Sequence, residues 1–298
     1  MSAPTTTAAA LAHAALHCNL NTVDLAASET FYTEALGIRA RMRSVSTSTD
    51  GTPMGLGPDT ASTTVFLYDH RGPRAAPALE VVGWERPATV PAETAPRGFV
   101  AVGYRVDALP AAADRLRRAG APVEELPPVT VRGSLRKALR TADPDGVTVE
   151  VVEVAAPDDP AAALSHLRVY CTDLERSARW YEGIGFAISG TGAGSAALVL
   201  PEDPTFSLEL VEHPAAPQTD RTANSQGLYR IALAVEDVRS AHAVVAGTGG
   251  DLPDPVFIPM PDTPTGGFTV LFLADPDGAV VELVERPRSA VRRPKVPV

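Results

Sequence analysis

At 298 residues, with 45% hydrophobic side chains and 26 basic residues against 36 acidic ones, the chain has the composition of a globular protein and the length of two domains. A net charge of −10 argues against phosphate-backbone or anionic-membrane binding, which needs clustered Lys and Arg, so a small-molecule partner is expected, with no nucleic acid. No apolar run approaches the roughly 18–20 residues that span a bilayer, residues 1–10 lack a basic and apolar signal, and two cysteines are too few for a disulfide framework; a reduced, cytoplasmic setting is expected.

In chain order, a strand near 15–22 leads into a helix over 26–36, with Asp24 and Ser28 as start signals and Gly37 as its stop. Strands follow near 39–46, 63–68 and 78–84. A second strand–helix–three-strand unit runs from Gly98 to about Val154, its helix over 109–118 and ended by Gly120. A proline-interrupted stretch at 155–163 reads as a linker. Beyond it the scheme repeats, with helices near 174–183 and 237–246. Four βαβββ units result.

The second half echoes the first. His17, Asp24, Leu25, Ser28 and Tyr32 recur at a constant offset as His166, Asp173, Leu174, Ser177 and Tyr181. The Asp-Pro-Asp-Gly that begins at Asp143 and leads to Glu150 recurs from Asp275 to Glu282, and Gly98–Ala108 pairs with Gly227–Asp237. Three matches in the same order indicate a duplication. The frame His-x-x-Leu-x-Val-x-Asp-Leu…Ser…Phe-Tyr, closed by Asp-Pro-Asp-Gly-x-x-x-Glu, resembles the vicinal-oxygen-chelate superfamily of glyoxalases, bleomycin-resistance proteins and extradiol dioxygenases. The resemblance covers roughly residues 11–287. It implies an α+β fold of two glyoxalase-like modules, 11–154 and 164–287, with cupped mixed sheets and outer helices. Reactions vary widely on this scaffold, so function has to come from the site.

If His17 points into a cup, strand alternation places Asn19 and Asn21 there too, with Cys18 on the helix side. Likewise His166, Arg168 and Tyr170 point in and Cys171 points out. Glu80, Glu150, Glu209 and Glu282 each sit between apolar neighbours on a strand, and a carboxylate buried there needs a cation, a metal or hydrogen-bond donors. In metal-dependent members of the family, ligands come from each unit's first strand and from the glutamate of its last. The resemblance carries these positions onto His17, Ala101, His166 and Arg230, and onto Glu80, Glu150, Glu209 and Glu282. Ala101 and Arg230 depart from the pattern. Both departures speak against a ring-cleaving dioxygenase, which needs a second histidine on its iron.

Units pair either within a module or swapped between modules, and the sequence leaves this open. Either way one cup has alanine at its fourth position and the other has arginine. The alanine cup, with Glu150 and Ala101, is expected to hold one divalent ion (Zn, Ni, Mn or Fe) on His17 and Glu80 or His166 and Glu209, together with Glu150. The arginine cup is expected to pair Arg230 with Glu282 and to need no metal. The functional expectation is a glyoxalase I-like, metal-dependent lyase or isomerase on a substrate with vicinal oxygens, with Glu150, Glu80 or Glu209 moving the proton. The alternatives are a metal-free binding or sequestering protein of the bleomycin-resistance type, and a metal-free enzyme on the same cup. Phe66, Tyr68, Trp84, Arg105, Arg168 and Tyr170, with Arg230 and Glu282, are the candidate ligand contacts. A monomer or homodimer is expected.

Overall fold

A computed structural model describes residues 11–92, 97–154, 162–215, 221–246 and 252–294. The expected units appear in order. The first comprises β1 (Ala12–Thr22), α1 (Leu25–Leu36), β2 (Arg39–Thr49), β3 (Thr60–Tyr68) and β4 (Ala78–Arg86). The second comprises β5 (Gly98–Val106), α2 (Leu109–Arg118), β6 (Glu124–Val131), β7 (Ser134–Ala142) and β8 (Thr148–Glu153). The third comprises β9 (Ala163–Cys171), α3 (Leu174–Gly183), β10 (Ala187–Gly192), β11 (Ser195–Leu200) and β12 (Asp203–Glu212). The fourth comprises β13 (Gly227–Val235), α4 (Val238–Ala246), β14 (Val256–Pro259), β15 (Gly267–Ala274) and β16 (Val280–Glu285). Of the expected linker 155–163, residues 155–161 lie outside the described residues, and Ala163 already opens β9.

Local chemistry sets the helix ends. Asp24 and Asp173 accept from the backbone N–H of Ala27 and Arg176, capping α1 and α3. Gly37 adopts φ 76° and donates to Thr33 O, ending α1 in the left-handed geometry that glycine tolerates. Ser28 is not a cap. Its hydroxyl donates to Asp145 Oδ2 at 2.9 Å, while Tyr32 OH reaches Asp143 Oδ2 at 2.9 Å. In the second module Ser177 and Tyr181 donate to Asp277 and Asp275 at 3.4 and 3.0 Å. The motif that marks the repeat is therefore a structural pin: each module's first helix is fastened to the Asp-Pro-Asp-Gly turn of its second unit.

The sheets pair the other way. One eight-stranded sheet runs β14-β15-β16-β13-β1-β4-β3-β2 and the other β10-β11-β12-β9-β5-β8-β7-β6. The seam of each is antiparallel, β1 on β13 in the first and β5 on β9 in the second. The first sheet thus joins units one and four, and the second joins units two and three. Each sheet takes one unit from each half of the chain, so the swapped arrangement is the one adopted. Helices cover the convex faces, where one apolar cluster runs through all four units and includes Cys18 and Cys171. Burial pushes both thiols up, Cys171 to about 11, so neither is a ready nucleophile. No described helix is long and apolar enough to cross a membrane.

Candidate functional site

The concave face of the first sheet brings His17 and Asn19 from β1, Glu80 from β4, Arg230 from β13 and Glu282 from β16 into one cluster, called cup 1 below. Arg230 Nε donates to Glu282 Oε2 at 2.9 Å and its Nη2 to Glu80 Oε2 at 2.8 Å. The guanidinium therefore bridges the last-strand carboxylates of two units from different halves of the chain. Asn19 Nδ2 adds a second donor to Glu80 Oε2 at 3.0 Å. His17 Nε2 stands 3.4 Å from Glu80 Oε2 and 3.5 Å from Glu282 Oε2. Burial works against charge in this cluster, yet Arg230 and His17 hold Glu282 down to about 2. Around it, Phe66 meets the His17 ring edge-on at 5.6 Å. Trp84 Nε1 donates to Asn21 Oδ1 at 3.0 Å, and Asn21 Nδ2 in turn donates to Ala223 O and Ser225 O. Tyr68 is half-buried further along the same strand as Phe66.

Cup 2, on the other sheet, holds Ala101 and Arg105 from β5, Glu150 from β8, His166 and Arg168 from β9, and Glu209 from β12. His166 is fully buried, and its Nε2 lies 2.8 Å from Glu150 Oε1. Gly103 makes room for it: a Cβ there would fall 2.1 Å from the imidazole Cε1. Arg168 meets both oxygens of the same carboxylate, with Nη2 at 2.5 Å from Oε1 and Nε at 3.2 Å from Oε2. Burial raises the pKa of Glu150, but His166 and Arg168 outweigh it and hold the group down to about 2. Glu209 is occupied differently. Its Oε1 accepts from Ser207 Oγ at 2.6 Å and from the backbone N–H of Arg132 at 2.9 Å. Arg105 is buried, and Tyr170 stacks on His213 at 5.2 Å.

These contacts test the expected metal site. Among the described residues no group of three or more His, Cys, Asp or Glu side chains is arranged to hold a metal ion. The His166–Glu209–Glu150 ligand set is not assembled, because His166 and Glu150 bond each other and Glu209 is turned to Ser207 and Arg132. Nor is cup 2 without its own cation. Ala101 is the cross-strand partner of Arg168, so the small residue faces an arginine contributed by the neighbouring strand. In cup 1 the roles are reversed, with arginine on β13 and Asn19 on β1. Where a guanidinium already neutralises the carboxylates, a divalent ion meets like charge at close range. The donor sets of both cups therefore fit arginine better than a metal.

The Arg230–Glu282 contact is the one the sequence led to. Arg132, Ser207 and Gly103 were missed. Alternation alone points Ser207 to the face of Glu209, and Gly103 to that of Ala101. Nothing local marks Arg132, which sits at φ 50° beside Gly133 between β6 and β7 and arrives from another unit.

The depressed carboxyls fix a pH dependence. A folded-state value near 2 for Glu150 and Glu282, against about 4.5 when unfolded, contributes stability that is complete above pH ~4.5 and lost as pH falls toward 2. At about 1.4 kcal/mol per unit, each contributes on the order of 3 kcal/mol. Asp143, pushed up to about 6 by burial, has the opposite sign, and its contribution falls as pH rises from ~4 to 6. Urea titrations at pH 3, 4 and 5 should show a steep acid loss that Glu150→Gln makes shallower; an unchanged slope in that variant would contradict the assignment.

The family profile described as glyoxalase/bleomycin resistance protein/dioxygenase superfamily matches residues 14–151 and again 163–283. No curated protein sequence matches significantly. The crystal structure of glyoxalase I from Zea mays superposes with a TM-score of 0.69 at 23% identity, covering 93% of each chain. A putative dioxygenase from Bacillus subtilis subsp. subtilis superposes equally, with a TM-score of 0.69 at 14% identity over 96% of this chain and 93% of that one. At these identities the likeness is one of fold.

Proposed function

Because the chain belongs to the glyoxalase/bleomycin resistance protein/dioxygenase superfamily, we propose that it handles a small organic molecule in its cups, with arginine rather than a divalent ion as the resident cation. One observation carries this reading: Arg230 lies between Glu80 and Glu282 at 2.8 and 2.9 Å, joining carboxylates that a metal-dependent relative would turn on its ion. In cup 2 Arg168 likewise pairs with a last-strand carboxylate, Glu150, although among the described residues it bridges to no second one. A catalytic metal site needs about three protein ligands and an open position on one ion, and among the described residues no three His, Cys, Asp or Glu side chains are grouped in that way. A second reading, a metal-free enzyme rather than a sequestering protein, draws on the His166–Glu150 pair, since a histidine oriented by a carboxylate is suited to moving a proton.

Metal analysis of protein purified without chelator tests the proposal. Zinc, nickel, manganese and iron should total well below one equivalent per chain, and EDTA should leave the thermal midpoint unchanged. One tightly bound equivalent, whose removal lowers the midpoint, would return the protein to the metal-dependent lyase or isomerase reading.

A further inference from the structure

The two halves of the duplication meet where β5 and β13 begin, and the places on either side of that meeting have diverged. With Gly98 matched to Gly227 and Asp143 to Asp275, Gln226 is the counterpart of Arg97, and Val147 that of Ala279. On one side Gln226 Nε2 donates to Asp145 Oδ1 at 2.8 Å, and a space of about 20 Å³ remains, room for a water molecule. On the other, an open cavity of about 250 Å³ remains among Arg97, Phe99, Arg221, Leu228, Tyr229 and Asp277. It shares no lining residue with the cluster of either cup. Asp277 is already matched, by Arg176 at 3.3 Å and Arg97 at 3.6 Å. Arg221 is not. Among the described residues it meets no carboxylate, only the carbonyls of Leu228, at 2.6 Å, and Gln226. Its Nε–H is buried and has no partner. A guanidinium cannot lose its proton to relieve burial, and a desolvated charge without a counter-ion is costly.

We propose that this cavity is a second small-molecule site, separate from the cups, and that it takes a small organic monocarboxylate whose oxygens accept from Arg221. The guanidinium fork matches a carboxylate in shape and in charge. Phe99 and Leu228, each 4% exposed, offer apolar surface to the rest of the molecule, and such a wall strengthens the ion pair by lowering the local dielectric. Burial keeps the Tyr229 hydroxyl protonated, a further donor among the lining side chains. A dianion such as phosphate meets Asp277 on the same wall, and a cation meets Arg97 and Arg221. The cavity lies between β5 of the second sheet and β13 of the first, beside the turn that pins α3 through Asp277, so its occupant ties the two sheets together.

NMR titration of the full chain with benzoate, its neutral isostere benzamide and inorganic phosphate, all at one ionic strength, tests this. Benzoate should shift the backbone amides of Gly98 and Gly278, which line the cavity, and benzamide and phosphate should bind there at least tenfold more weakly. Arg221→Met should weaken benzoate tenfold or more, and Arg221→Lys, which keeps the charge but not the fork, should restore part of the affinity; circular dichroism checks that both variants fold. Where Arg221→Met does not fold, the contrast among the three probes on wild type decides alone. Benzamide or phosphate binding as tightly as benzoate, no binding of benzoate, or full affinity in a folded Arg221→Met protein would each overturn the proposal. Benzoate shifts confined to the His17 and His166 rings would do so too, by placing the carboxylate in the cups.

Discussion

Arg230→Ala should lower the stability of the protein by about 3–5 kcal/mol, the cost of removing one partner from a buried ion cluster. Glu80 and Glu282 are each less than a tenth exposed, and both lose their guanidinium contact in this variant. Burial, the first influence on Glu282, then acts with less opposition, and the carboxyl that is now held near 2 should titrate higher. Urea unfolding with unchanged m-value measures the loss, and adding Glu282→Gln should recover part of it by removing one uncompensated charge. The same variant leaves His17, Glu80 and Glu282 facing a vacated cation position. Added Zn²⁺, Ni²⁺ or Mn²⁺ should therefore raise the thermal midpoint of Arg230→Ala while leaving wild type unaffected. An Arg230→Ala protein as stable as wild type would show that the bridge contributes nothing, and one indifferent to metal would show that the arginine does not occupy a cation site.

Arg293→Met should have an effect of similar size, far from either cup. The C-terminal segment crosses back over the first unit, and Arg293 Nε donates to Asp203 Oδ2 at 2.9 Å. Both side chains are essentially inaccessible, at 2% and 0% exposure. Arg293 also donates to Ala15 O and to Arg74 O. Asp203 in turn accepts from the Ala15 N–H at 3.0 Å and from Thr205 Oγ1 at 2.8 Å. The pair therefore ties the tail to β1 of the first sheet and β12 of the second. Removing Arg293 leaves Asp203 buried and charged, at a cost of about 3–5 kcal/mol. In a double-mutant cycle with Asp203→Asn, the coupling should exceed about 1 kcal/mol. Additive effects would reduce the clasp to two independent contacts.

The sequence by itself determined what depends on neighbours along the chain. Alternating apolar residues marked the strands, Asp24 and Asp173 marked helix starts through their own side-chain caps, and Gly37 marked a stop through its left-handed backbone. The duplicated motifs then placed the four units in order, and alternation put His17, Asn19 and Glu80 on the concave face of the sheet. These signals are short-range, with periods of two or 3.6 residues and caps within a turn. Only the tertiary structure decided which units share a sheet. The helix pins hold units one and two together, whereas the seam joins β1 to β13 and β5 to β9, and both contacts are compatible with the same strand pattern. Register across that seam decided the site as well. Arg168 is two residues beyond His166, so its inward direction was legible, but its placement opposite Ala101 follows from antiparallel pairing between units. That pairing supplies a cation to the cup in which Ala101 had suggested an open metal position. Glu209 likewise turned on Arg132, 77 residues away along the chain, which is brought to it only when the β6–β7 turn reaches the third unit.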